Sequence, residues 1–168
     1  MRPVVAISRC LLGEKVRYDG SDKAVPDLIN AISTYLSIVP VCPEVEAGLS
    51  VPRPPVELVQ NQNGIISVLG KKERLLDVTP QLNRFADQFC ALHPTLSGAI
   101  LQNRSPSCGN GDAPLFSANG ERLRERDGFF AATLRRCYPA IPITGVEQLA
   151  SNAAFEEFMA EVNRYHDQ

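Results

Sequence analysis

The stretch "PVVAISRC", residues 3–10, decides the fold class. It is a compact run of β-branched and small apolar residues with no polar alternation. A strand that faces water on one side alternates apolar and polar residues, whereas a strand covered on both faces reads as a continuous apolar run. The stretch therefore predicts a strand buried on both sides, ending near Cys10. Three later runs have the same character: "IVPVC" (38–42), "SGAILQ" (97–102) and "AIPITG" (140–145). Pro40 weakens the first of these, because proline withholds a ladder donor.

Between the runs lie helical patterns. "AVPDLINAISTYLS" (24–37) places Leu28, Ile29, Ile32 and Leu36 at helical spacing. "VTPQLNRFADQFCALHP" (78–94) predicts a helix with Thr79 as N-cap and Pro80 in the first position. Its apolar face comprises Leu82, Phe85, Phe89 and Leu92. "FFAATLRRCYP" (129–139) and "VEQLASNAAFEEFMAEVNRYH" (146–166) are also helical, the second broken near Ser151 and Asn152. "VELVQNQNGIISVLG" (56–70) reads as a hairpin turning at "QNG", and "APLFSANGERLRERDG" (113–128) as irregular and polar. Strands alternating with helices predict a single α/β domain over residues 1–168. Its mainly parallel sheet has about four strands, helices on both faces and a small hairpin insertion. Right-handed crossovers put all the strand carboxyl ends on one rim.

The 168 residues can bury a core without disulfides. Seventeen basic residues against nineteen acidic ones give a net charge of −2, which argues against an extensive nucleic-acid surface. No apolar run approaches the roughly 20 residues needed to cross a bilayer, and the N-terminus lacks the pattern of a signal peptide. The expected location is cytoplasmic. In that compartment five cysteines read as thiols or metal ligands rather than a disulfide framework.

Cys10 ends the first strand, Cys42 ends the second, and Cys108 lies just beyond the third in "NRSPSCGNGD" (103–112). Ligand sites in open parallel sheets form outside the strand carboxyl ends, so these three residues can meet although 31 and 65 residues separate them. Cys90 and Cys137 fall within amphipathic helices and read as core or half-buried thiols. His93 and His166 sit at helix ends and read as surface residues. Structural zinc usually takes four protein ligands, often from local cysteine pairs that this chain lacks. Three thiolates fit an iron–sulfur cluster more naturally. A 4Fe–4S cubane held this way keeps one iron free of protein, able to act as a Lewis acid.

The segments "SRCLLGEKVRYDG" (8–20), "VCPEVEAGLSVPRPPVE" (41–57) and "RSPSCGNG" (104–111) resemble the thiouracil desulfurase family, first catalogued as a domain of unknown function. "RDGFFAATLRR" (126–136) resembles a further segment of it. The resemblance implies a 4Fe–4S cofactor on Cys10, Cys42 and Cys108, and removal of sulfur as sulfide from a small-molecule thiolated pyrimidine. It also implies a catalytic acidic residue at Glu44 and a catalytic serine, Ser105 ahead of Ser107. Glu46 departs from the family pattern and adds a carboxylate near the site.

On this reading water attacks the C–S carbon, Glu44 moves the proton, and Ser105 orients the water or a ring carbonyl. Arg53 can bind a ring oxygen or brace its proline-rich loop. Tyr18, Asp19 and Ser107 are further candidates for substrate contact: Tyr18 can stack on a pyrimidine, whereas Asp19 before Gly20 can instead make a turn. Two other readings fit the residues: a metal-free enzyme with Cys108 as nucleophile, and an iron–sulfur redox sensor or sulfur carrier without catalysis.

Overall fold

A computed structural model describes residues 1–168. Its first sheet is parallel throughout, in the order β2-β1-β5-β8. The strands are β1 (Val4–Ser8), β2 (Ser37–Val41), β5 (Leu96–Leu101) and β8 (Ile143–Gly145). β1 pairs with β2 from Val4↔Ser37 to Ser8↔Val41 and with β5 on its other side. Every residue of β5 is buried, as its continuous apolar run requires. Pro40 is accommodated because β2 is an edge strand, where a missing donor breaks no ladder.

Side chains alternate across this sheet into two cores. Ala6, Ala99 and Leu101 face α3 (Thr79–Leu92) and α4 (Phe129–Cys137), meeting Phe89, Phe130 and Leu134. Val5, Ile7 and Ile100 face α1 (Pro26–Ser33) and α5 (Asn152–His166), meeting Ile32, Phe158 and Val162. α5 lies unusually close because Gly98 in β5 has no side chain. A Cβ there would stand 2.9 Å from Val162 Cγ2.

The second sheet is larger than the sequence predicts. β3 (Val56–Gln60) and β4 (Ile66–Gly70) form the expected hairpin. The stretch expected to be irregular, however, is a second hairpin: β6 (Ala113–Ser117) and β7 (Arg122–Arg126). β6 pairs in parallel with β3, giving a four-stranded sheet in the order β4-β3-β6-β7. Its buried face joins Leu58, Val68 and Leu115 to Leu82 of α3, with Phe129 of α4 against them.

Three local expectations change. Thr79 does not cap α3; its Oγ1 accepts the Val68 N–H at 2.8 Å and ties the helix to β4. Leu92, the last residue of α3, is 75% exposed and does not join the apolar face. α1 is shorter than the apolar spacing suggests, since the chain must turn after Ser33 to enter β2. Ser151 does cap α5, accepting the Ala154 N–H at 3.1 Å. No helix is long and apolar enough to cross a membrane.

Candidate active site

The chain passes from β1 outward to β2 and later returns to β5 on the opposite side of β1. That reversal opens a crevice at the carboxyl ends of β1 and β5. A cavity of about 850 Å³ occupies it, and Cys10, Cys42 and Cys108 all line it. One wall comes from the second sheet through Glu57, Pro114 and Phe116, a contribution the sequence did not reveal.

Cys10 sits in a short 3-10 turn (Arg9–Leu12) that follows β1 directly, and is 7% exposed. Its Sγ lies 3.9 Å from Gln102 Oε1, just past β5. Cys42 precedes α2 (Pro43–Glu46), a single helical turn. The Glu46 carboxylate accepts the Cys42 N–H at 2.8 Å, so this extra acid fixes the cysteine backbone and does not line the cavity. Cys108 is 5% exposed in a tightly laced loop. Asp112 accepts hydrogen bonds from Asn103 Nδ2 and the Arg104 N–H, each at 2.9 Å. Ser105 Oγ accepts the N–H groups of Ser107 and Cys108 at 3.1 and 3.0 Å.

The start of α4 holds this loop from below. Phe129 N–H donates to Pro106 O at 3.0 Å and Phe130 N–H to Ser107 O at 2.9 Å. These are helix N-terminal donors that have no partner within the helix. Gly128 makes the contact possible: a Cβ there would stand 2.5 Å from the Ser107 carbonyl carbon and oxygen. The "RDGFF" segment is thus a mount for the third cysteine.

Burial governs the thiols. It pushes the Cys10 thiol up to about 11, although the positive charge of Arg17 pulls the other way. Burial likewise raises Cys42, and raises Cys108 well above its usual value despite a hydrogen bond with Ser8. The charges of Cys10 and Cys42 act on Cys108, as befits three neighbouring sulfurs. No three His, Cys, Asp or Glu side chains close around a point that one metal ion could occupy. The donor set is three soft sulfurs spread around a crevice, which suits a multinuclear cluster.

Glu44, two residues after Cys42, lines the same cavity. Arg53 Nε donates to its Oε1 at 3.0 Å, and Ser107 Oγ donates to its Oε2 at 3.2 Å. The Arg53–Glu44 pair is largely buried, the side chains being 6% and 14% exposed. Arg53 therefore meets Glu44, and it also donates to Ser50 O in its own loop at 3.2 Å. Ser105 is engaged within the cysteine loop; Ser107 is the serine that reaches the carboxylate. Tyr18 lies at the cavity rim, 42% exposed. Asp19 makes a turn, accepting from Ser21 N–H and Oγ, and does not line the cavity.

The remaining candidates lie elsewhere. Cys90 is half-buried in α3 and Cys137 is exposed at the end of α4. His93 is half-buried, its ring 4.4 Å from that of Phe89. His166 is also half-buried, within 3.2 Å of Ser97 Oγ and Met1 O. Both histidines are thus less exposed than the surface placement their helix-end positions predict. Sequence reasoning did not single out Arg17 for the site, nor Gly128. Both stand in motif segments, and only the fold shows what they touch.

The class this defines is an α/β scaffold with three cysteines, two of them buried, and a clamped carboxylate gathered in one parallel-sheet crevice. The chain belongs to the 2-thiouracil desulfurase family, whose model matches residues 5–145. A solved structure of the 4Fe–4S-dependent thiouracil desulfidase TudS matches it with a TM-score of 0.67 and 29% identity, covering 93% of this chain and 99% of that one. The protein YbbK of Bacillus subtilis (strain 168), described as uncharacterized, is 31% identical over 140 residues, which is 79% of this chain and 90% of the relative.

Proposed function

We propose that this protein removes sulfur from a thiolated pyrimidine by hydrolysis, with Cys10, Cys42 and Cys108 holding a 4Fe–4S cluster. One observation carries the reading: three cysteines from three different strand ends line one cavity together with Glu44. The orphaned Nε of Arg17 at the same cavity supports it, because a buried donor there has the sulfur shell of a cluster to meet. Cys10, Cys42 and Cys108 would hold the cluster, which would supply Lewis acidity toward the thiocarbonyl sulfur.

The residues of the chain do the rest. Arg53 and Ser107 each fix one oxygen of Glu44, so the carboxylate has one orientation in the crevice. From there Glu44 takes a proton from the attacking water and returns one to the departing sulfur. The sum is a thiocarbonyl and water giving a carbonyl and hydrogen sulfide, with no net electron transfer. Ser107 positions the carboxylate, while Ser105 holds the loop that carries Cys108. Tyr18 offers a ring for stacking at the entrance. A metal-free cysteine nucleophile fits less well. Nucleophilic thiols are activated by a lowered pKa, and burial raises all three here.

The test is anaerobic purification, with iron and acid-labile sulfide measured, followed by addition of 2-thiouracil or 4-thiouracil. The expected result is a loaded cluster and loss of the thiocarbonyl absorption with release of sulfide. Turnover by iron-free protein overturns the cluster scheme. Loaded protein that turns over neither compound leaves the sensor or carrier reading in its place.

A further inference from the structure

Four arginines line the cavity: Arg9, Arg17, Arg53 and Arg104. Three of them have carboxylate partners. Arg9 pairs with Glu14 at 2.6 Å, Arg53 with Glu44 at 3.0 Å and Arg104 with Glu147 at 2.6 Å. Arg17 has none, and its Nε is the one buried side-chain nitrogen or oxygen in the protein without a hydrogen-bond partner. Buried polar groups are almost always satisfied, so an orphaned guanidinium donor marks a place where an acceptor belongs.

Arg17 lines the same cavity as Cys10, Cys42 and Cys108. The loop itself leaves the guanidinium free: the Arg17 backbone N–H donates to Ser21 O, and its carbonyl accepts from Gly20. The backbone is thereby anchored while the side chain lines the cavity that the three cysteines share. Hydrogen bonds to the sulfurs and net charge are the main protein controls on the potential and retention of an iron–sulfur cluster.

We propose that Arg17 is a positioning residue for the cluster, supplying a hydrogen bond and a compensating positive charge within the cavity that Cys10, Cys42 and Cys108 share. The inference rests on the cluster reading above and deepens it. Arginine suits the role because its guanidinium stays charged when desolvated and its donors are fixed in a plane.

The test uses anaerobically purified, iron-loaded protein and the variants Arg17→Gln and Arg17→Lys. Far-UV circular dichroism confirms that each is folded. Arg17→Gln is expected to lose iron to a chelator roughly tenfold faster than wild type and to have a lower midpoint potential by electrochemistry or electron paramagnetic resonance. Arg17→Lys, which keeps the charge, is expected to recover most of the potential. An Arg17→Gln protein with wild-type iron loss and midpoint potential, but a raised KM for thiouracil, overturns the proposal and makes Arg17 a substrate contact. Wild-type protein without iron overturns the cluster reading itself, so the two failures are distinct.

Discussion

At the scale of single residues, the proposed function assigns the holding of metal and the moving of protons to different side chains. Cys10, Cys42 and Cys108 share the cavity, whereas Cys90 and Cys137 lie on the α3 and α4 helices. Replacing any of the first three by Ala is therefore expected to abolish retained iron in anaerobic preparations. Cys90→Ser and Cys137→Ser are expected to keep wild-type iron content by colorimetric assay. Glu44→Gln removes the proposed proton carrier but leaves the thiols in place. It is expected to retain iron and to lose roughly 10²- to 10⁴-fold in kcat. Ser107→Ala removes one of the two groups fixing that carboxylate. A hydrogen bond to a charged group contributes about 1.5–3 kcal/mol, so kcat is expected to fall roughly ten- to hundredfold. Iron content and CD spectrum should be unchanged; an unchanged kcat for Ser107→Ala would remove it from the mechanism.

At the scale of elements, the third cysteine depends on a helix far from it in sequence. The N-terminal turn of α4 donates to the carbonyls of Pro106 and Ser107, and only a glycine at 128 allows that approach. Gly128→Ala forces the Cys108 loop or α4 to move. Overpacking of this kind costs about 1–3 kcal/mol, read as a lower urea midpoint of the apo-protein, and iron retention should drop with it. Full iron retention in a Gly128→Ala protein would show that the mount tolerates displacement. The same contact explains what could be read from the sequence. Strand ends were legible because a continuous apolar run followed by a cysteine is a local signal, and it correctly led to the rim. The bonds from Ser107 to Glu44 and from Arg53 to Glu44 were not legible, because they depend on where two loops come to rest. β7 was missed because "RLRER" has no apolar alternation and four of its five residues are exposed. Its strand conformation comes from pairing with β6, and β6 is placed by pairing with β3 more than fifty residues earlier.

For the molecule as a whole, the three core clusters are built mainly from sheet and helix residues, with Cys108 one of thirteen buried members of the first and Cys10 one of eleven in the second. Removing iron should therefore lower the thermal midpoint without abolishing the fold, since a ligand bound only to the native state adds stability by mass action. A small metal-nucleated domain would unfold instead. The iron-free protein is also expected to lose stability at alkaline pH. Cys10 is pushed up to about 11 and Cys90 to about 12, chiefly by burial, and Cys42 and Cys108 move in the same direction for the same reason. An unfolded thiol ionises near 9.0. Above that pH the unfolded chain sheds protons that the folded chain retains, so stability declines with rising pH. The contribution is fully present below about pH 9 and is lost progressively toward pH 11. The urea midpoint of apo-protein is expected to fall across that window, and less steeply in Cys10→Ala. Iron-loaded protein should show a shallower fall, because metal-bound cysteines are already thiolates and have no proton to lose. Equal slopes for the apo and loaded forms would mean that the three cavity thiols are not the groups that iron engages.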